Sequence, residues 1–277
     1  MDELAFRKVE GLGNDFLLVD LRGRRTDELG PLLERLAAAA PRLCHRRTGV
    51  GGDGLLLVTD TEGVEADGRM IVINHDGSRP EMCGNGLRCV AQQVARTDGT
   101  LRLQTDAGVL ECRVSQWSPE AAQVQVHMGP ARDLGSAQPA AGAGQSFRGV
   151  SMGNPHAIAF VEDSEDPEAL ARQLGPGLEI DPAYPDRTNV EFCRVADTTL
   201  TLWVWERGCG ITGACGTGAC ATAAAAVWAG HAPAATPLEV RLPGGSLSIE
   251  VPEDRSEDVI MTGPARLAFT GVISLQV

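Results

Sequence analysis

Residues 206–226 read ERGCGITGACGTGACATAAAA. Cys215-Gly-Thr-Gly runs directly into alanine, the strongest helix former. Residues 82–91, MCGNGLRCVA, repeat the device: Cys83-Gly-Asn-Gly precedes apolar residues at helical spacing. Each stretch predicts a cysteine at the N-terminus of a glycine-opened helix. Asn74 stands nine residues before Cys83 and ends the apolar run MIVIN. Glu206 stands nine residues before Cys215 and ends LTLWVWE. Gly13-Asn14 is echoed by Gly153-Asn154. The same order of parts therefore occurs twice, which predicts two related α/β halves.

Working outward, short apolar runs bounded by turn residues predict strands at 16–20, 54–60, 70–77, 101–115, 122–129, 157–163, 199–208 and 238–253. LRLQTDAGVLECRV and LEVRLPGGSLSIEV read as hairpins about glycine-containing turns. Helices are predicted over 28–43, 86–97, 166–175 and 218–230. The Gly-, Ala- and Pro-rich stretch 129–149 reads as a loop or linker near a domain boundary.

A helix N-terminus exposes unpaired N–H groups and a partial positive charge. Gly84-Asn85-Gly86 and Gly216-Thr217-Gly218 let an anionic group approach that backbone closely. The same field favours a thiolate, so Cys83 and Cys215 are the best-placed acid/base groups. One thiolate suffices for a covalent hydrolase. Two matched thiols suit a proton abstraction on one face of a carbon and a return on the other. Helix dipoles would then stabilise the carbanion where charge develops. No lysine stands in an evident Schiff-base context, so no pyridoxal or other cofactor is expected.

The bulk properties narrow the alternatives. The chain has 277 residues and a net charge of −13, with no basic cluster for nucleic acid and no apolar run of membrane-spanning length. A cytoplasmic protein acting on a small molecule is expected. The cysteine spacings Cys83-x5-Cys89, Cys209-x5-Cys215 and Cys215-x4-Cys220 differ from structural zinc knuckles, so no metal is expected. Cys44, Cys89, Cys112, Cys193 and Cys220 read as core packing, and Cys209 receives no role.

Several segments together resemble the diaminopimelate epimerase family: GLGNDF (11–16), TGVGGDG (48–54), NHDGSRPEMCGNGLRC (74–89), SMGNPH (151–156), RTNVEF (187–192), ERGCGITGACGTGACA (206–221), LPGGSL (242–247) and MTGPA (261–265). The resemblance implies an α+β fold of two pseudo-symmetric domains, each a curled mixed sheet or barrel around a central helix. The expected halves are residues 1–118 plus 264–277 and residues 119–263, with the active site in the cleft between them. It implies a cofactor-independent epimerase interconverting LL- and meso-diaminopimelate, with Cys215 as proton acceptor and Cys83 as donor in the LL-to-meso direction. It further implies substrate contacts from Asn14, Asn74, Gly84, Asn85, Asn154, Asn189, Glu206, Arg207, Gly216 and Thr217. His156 and Glu206 would tune the thiols, and a homodimer would use Phe269. Gly54 departs from a substrate-contacting glutamine in some members, His75 from the usual alanine, and Phe269 from a tyrosine.

Two other functions remain open at this stage. A proline or hydroxyproline racemase would usually carry His where Asn85 stands. A redox sensor or binding module would use Cys83 and Cys215 as a regulatory disulfide.

Overall fold

The computed structural model describes residues 3–275. The chain divides into two compact units, one of residues 1–126 and 263–277, the other of residues 127–262.

The first unit opens with β1 (Glu3–Gly11) and β2 (Asn14–Asp20), joined by Leu12 and Gly13. Both joining residues have positive φ (59° and 78°), as a two-residue turn of right-handed-twisting strands requires. The left-handed conformation costs a leucine on the order of 1 kcal/mol. This turn sets Asn14 at the start of its strand. There follow α1 (Thr26–Leu43), β3 (Gly54–Thr59), β4 (Gly68–Asn74), α2 (Gly84–Val94), β5 (Gly99–Thr105), β6 (Gly108–Ser115) and β7 (Ala121–His127). The strands are neighbours in chain order. The pairings β2–β3 and β4–β5 are parallel, and the rest of the run is antiparallel. The last strand of the chain, β16 (Ile260–Ser274), pairs antiparallel with β1 and stands next to β7 in the strand order. The sheet thus curls back on itself.

The second unit repeats the plan. It contains β8 (Arg132–Ala137), β9 (Phe147–Ser151), β10 (Pro155–Phe160), α3 (Pro167–Glu179), β11 (Asn189–Ala196), β12 (Thr199–Glu206), β13 (Gly210–Ile211), α4 (Gly216–Trp228), β14 (Leu238–Leu242) and β15 (Gly245–Glu250). Here β10–β11 and β12–β14 are parallel and the other pairings antiparallel. Each unit therefore has a helix in the first parallel crossover and a cysteine-capped helix in the second.

The capped helices are the cores. Every residue from Gly84 to Gln92 of α2 is buried, and α2 touches strands β1 to β6. In α4, Gly216 and Gly218–Ala226 are buried against β9 to β12, β14 and β15. α4 is apolar almost all round, so it belongs inside, and its alanines let the surrounding strands come close. α2 buries the polar Asn85, Arg88 and Gln92 along with its apolar residues. The outer helices are amphipathic: Leu32, Leu36, Ala40 and Leu43 of α1 pack on Leu55, Leu57, Ile71 and Ile73, while Ala171 and Leu178 of α3 join Val190 and Phe192.

The stretch expected as a loop over 129–149 contains β8 and a short 3-10 turn, Ala140–Gly142. β8 is exposed along its length, with a bulge before Gly135 (φ 83°). It is held by backbone pairing to β9 and lacks the buried alternation that marks a strand in sequence. β1, β9, β11 and β16 were likewise absent from the expected strands. No helix among the described residues is long and apolar enough to cross a membrane.

Candidate active site

The two cysteines occupy equivalent positions. Cys83 is extended (φ −141°, ψ 112°) and its sulfur accepts the Gly86 N–H at 3.4 Å. Cys215 is extended (φ −118°, ψ 106°) and its sulfur accepts the Gly218 N–H at 3.3 Å. Each thiol is thus the N-cap of its helix, satisfying a donor the helix leaves open. The glycine three residues on is part of the device. A Cβ at 218 would lie 2.9 Å from Glu191 Oε1 and 3.1 Å from Cys215 Sγ. A Cβ at 86 would lie 2.7 Å from Leu56 Cδ2.

Around half-buried Cys83, the first unit places Asn14 with its Oδ1 4.0 Å from the sulfur, the outer edge of an S–H···O contact. Asn85 donates Nδ2–H to that same oxygen at 3.1 Å. Asn14 is itself held from the other end, donating to Asp53 Oδ2 at 2.7 Å. Asp53 also accepts the Asp15 N–H at 3.0 Å and ion-pairs with Arg46 at 2.7 Å. Arg46 bridges to Asp15, which pairs in turn with the buried Lys8. Burial alone raises the Asp15 carboxyl, but hydrogen bonds and charge from Arg46 and Lys8 bring it below the usual carboxylate value.

Asn74 ends β4 as expected, yet its side chain donates to Ser78 Oγ at 2.9 Å within its own turn. Gly54 lies opposite Asn74, and a Cβ there would sit 2.4 Å from the Ile73 carbonyl oxygen. The strands approach too closely for any side chain at that position. His75 contributes a backbone N–H to Asp53 O at 3.0 Å.

In the second unit, Cys215 is 5 % exposed. Thr217 Oγ1 lies 3.6 Å from its sulfur, and Asn154 donates Nδ2–H to Thr217 Oγ1 at 3.3 Å. Asn154 Oδ1 lies 3.0 Å from His156 Nε2, and His156 Nδ1 lies 2.6 Å from Glu191 Oε1. The side chains of His156 and Glu191 are fully buried. Glu206 ends β12, where the Thr212 hydroxyl donates to its Oε1. Desolvation pushes the Glu206 carboxyl above its usual value, with Thr212, His156 and Cys215 acting the other way.

The sequence reading expects a helix N-terminus to favour the Cys215 thiolate. Here burial, then the charge of the Glu206 carboxylate, pushes the thiol well above its ordinary range. The Thr217 hydroxyl and Gly218 N–H oppose this without overcoming it.

Asn189 is buried with both ends of its amide on main chain, donating to Pro155 O at 2.8 Å and accepting the Arg207 N–H at 3.0 Å. Arg207 is exposed, with one guanidinium N–H on Asp186 O at 2.9 Å. Glu179 holds the turn beneath it, accepting from Gly208 N and Trp205 Nε1, each at 2.8 Å, and from Arg187. Phe269 is 49 % exposed and meets Phe6 edge-on at 6.0 Å.

Sequence reasoning passed over Asp53, Arg46, Glu179 and Glu191. Asp53 and Glu191 lie inside segments already singled out, GGDG and NVEF. Their usable signal was a carboxylate among glycines or in an apolar strand, where it needs a partner.

A family model described as diaminopimelate epimerase matches residues 6–134 and 149–268. A diaminopimelate epimerase of Desulfitobacterium hafniense is 43 % identical over 96 % of this chain and 96 % of its own length. Diaminopimelate epimerase 1 of a Nostoc species is 42 % identical over 97 % of this chain and 99 % of its own. Among solved structures, a PhzF-family phenazine biosynthesis protein of Bacillus anthracis aligns with TM-score 0.72 at 14 % identity, over 99 % of this chain and all of that one. A hydroxyproline epimerase of Agrobacterium vitis aligns with TM-score 0.68 at 15 % identity, covering 99 % and 93 %. At such identities these structures speak for the fold alone.

Proposed function

The chain belongs to the diaminopimelate epimerase family, and from that premise we propose that Cys83 and Cys215 are its two acid/base groups. The enzyme is an isomerase that interconverts LL- and meso-diaminopimelate by thiolate/thiol chemistry. In the LL-to-meso direction, the Cys215 thiolate takes the α-proton and becomes a thiol. The Cys83 thiol delivers its proton to the opposite face of the carbanion and becomes a thiolate. Exchange with solvent, or the reverse reaction, restores the starting forms.

The observation that carries this assignment is the matched capping of two buried helices by two cysteine sulfurs. Gly84, Asn85, Gly86 and Gly216, Thr217, Gly218 would then offer N–H groups to the substrate carboxylate as charge develops at the α-carbon. Arg207, exposed and anchored through Asn189 and Asp186, would take a carboxylate in bidentate fashion. Asn14, Asn74, Asn154 and Glu206 would bind the amino and carboxyl groups, and His156 with Glu206 would set the proton affinity of Cys215. The chemistry asks for no pyridoxal cofactor and no metal. We place the enzyme in the cytoplasm, without nucleic-acid or membrane partners, as a homodimer through the strand of Phe269, supplying lysine and peptidoglycan precursors.

The test is α-proton exchange from LL-diaminopimelate in deuterated, reducing buffer, followed by NMR without added cofactor. Deuterium incorporation with meso product is expected, and it should vanish in Cys83→Ala and in Cys215→Ala. Meso formation at the wild-type rate in either variant would remove that cysteine from the mechanism. Proline should remain inert.

A further inference from the structure

The group farthest along the chain of contacts from Cys215 has no role so far. Glu191 sits on β11 with no exposed side-chain surface, among the hydrophobic residues Val190 and Phe192. An uncompensated carboxylate there is costly, so its position calls for a reason.

The hydrogen-bond directions supply one. His156 Nε2 faces Asn154 Oδ1, a carbonyl oxygen that only accepts, so Nε2 carries a proton. The Asn154 amide then presents Nδ2–H to Thr217 Oγ1, which leaves the Thr217 hydroxyl hydrogen for Cys215 Sγ. At the other end, His156 Nδ1 meets Glu191 Oε1. Two arrangements fit these contacts: a neutral ring whose Nδ1 accepts from a protonated Glu191, or an imidazolium whose Nδ1 donates to a Glu191 carboxylate. The second oxygen, Oε2, is buried with no hydrogen-bond partner in the protein. An unpartnered carbonyl oxygen is tolerable there; half of an ionised carboxylate is not.

We propose that Glu191 is a positioning residue which, as a protonated acid, donates to His156 and so aligns the His156–Asn154–Thr217 relay with every donor aimed at Cys215 Sγ. Such aligned chains strengthen one another. The relay favours the thiolate at the moment Cys215 must act as base, against the burial that otherwise keeps it a thiol. Burial pushes the Glu191 carboxyl above its usual value, outweighing His156 and the Ala157 N–H, which act the other way, and this is consistent with a retained proton. The titratable groups facing it are His156 from β10, Cys215 from α4, Glu206 from the end of β12 and Tyr184 from the segment before β11. The first unit is the contrast: the Asp53 carboxylate turns Asn14 so that an acceptor, Oδ1, points toward Cys83. The inference takes over from the proposed function that Cys215 is a reacting thiol.

Two experiments test it. In the wild-type protein labelled with 15N-histidine, His156 should show Nε2 protonated and Nδ1 unprotonated near neutral pH. A proton on Nδ1 would overturn the proposal without any variant having to fold. In the second, Glu191→Gln keeps a donor for Nδ1 and should retain kcat within about 3-fold. Glu191→Met should lower kcat by roughly 10- to 100-fold, the range for losing a group that orients an acting one, with KM little changed. The titration of Cys215, followed by 13Cβ-cysteine NMR, should move up in Glu191→Met because a donor chain is lost. A downward move would mean that an anion had been removed instead, and would refute the assignment, as would a Glu191→Gln enzyme as slow as Glu191→Met. If the wild type fails to epimerise diaminopimelate while the histidine tautomer and the Cys215 titration behave as stated, the relay stands and only the reaction is misassigned.

Discussion

Asn14 donates its amide N–H to Asp53 at 2.7 Å, which leaves the carbonyl end of that amide for Asn85 and the Cys83 side. An amide that could rotate would offer either end. A carboxylate that accepts only, itself held by Arg46, selects one. Asp53→Ala should therefore lower kcat by about 10- to 100-fold while the protein stays folded. Asp53→Asn, which can pair with either end of Asn14, should fall between. Steady-state epimerisation rates with circular dichroism as a folding control decide this; an unchanged Asp53→Ala rate would dismiss the orienting role.

The two capping glycines should fail differently. At 218 an added methyl meets Glu191 and the Cys215 sulfur, whereas at 86 it meets the flexible end of Leu56. Gly218→Ala should lose most activity, with a stability loss of about 1–3 kcal/mol from overpacking. Gly86→Ala should show the milder defect in both. Urea denaturation and α-proton exchange on the same samples separate the two effects.

Removing the Glu206 charge should bring the Cys215 titration down, since that carboxylate is the largest cause of its high pKa after burial. The sign is fixed: less negative charge beside a thiol favours the thiolate. NMR titration of Glu206→Gln, with substrate absent, reads this directly. An upward move would mean that Glu206 acts on the thiol through something other than its charge.

Stability should depend on pH through carboxyls shifted in opposite directions. The folded carboxyls of Glu191 and Glu206 lie above the unfolded value of 4.5, so the folded state holds extra protons there. Their contribution is full below about pH 4.5 and is lost as pH rises through the raised values. Asp106 behaves oppositely. Arg79 and Arg69 lower its carboxyl below 3.8, so its contribution is present above that value and lost as pH falls through the lowered one. Urea midpoints should therefore show Glu206→Gln gaining on the wild type as pH climbs from 5 toward 9. A difference constant with pH would contradict the raised carboxyl.

Phe269 and Val272 are exposed apolar residues on the last strand. If a second copy covers them, Phe269→Glu should convert the dimer to monomer in sedimentation velocity. A wild-type monomer at micromolar concentration would rule out that interface.

Local pattern carried much of this in advance. The four expected helices and both hairpins are present, because each depends on neighbours within a few residues. Cys83 and Cys215 were legible because a helix start is a local event. The opposed orientations of Asn14 and Asn154 were not. They are decided by Asp53 and Glu191, 39 and 35 residues away from the groups they bond, Asn14 and His156. β11 escaped notice because Glu191 and Arg194 interrupt its apolar run, although the fold buries the glutamate completely. β1 and β16 pair across nearly the whole chain, beyond the reach of any short window.

That last pairing orders events at the ribosome. β16, which completes the first unit, is synthesised after every other described strand, while the second unit is one uninterrupted segment. At about 5–20 residues per second, the opening strands wait roughly ten seconds or more for their partner. During that interval β1 presents an unpaired edge to chaperones and to neighbouring nascent chains. A message truncated before β16 would leave the Cys83 half unfinished and the Cys215 half almost complete.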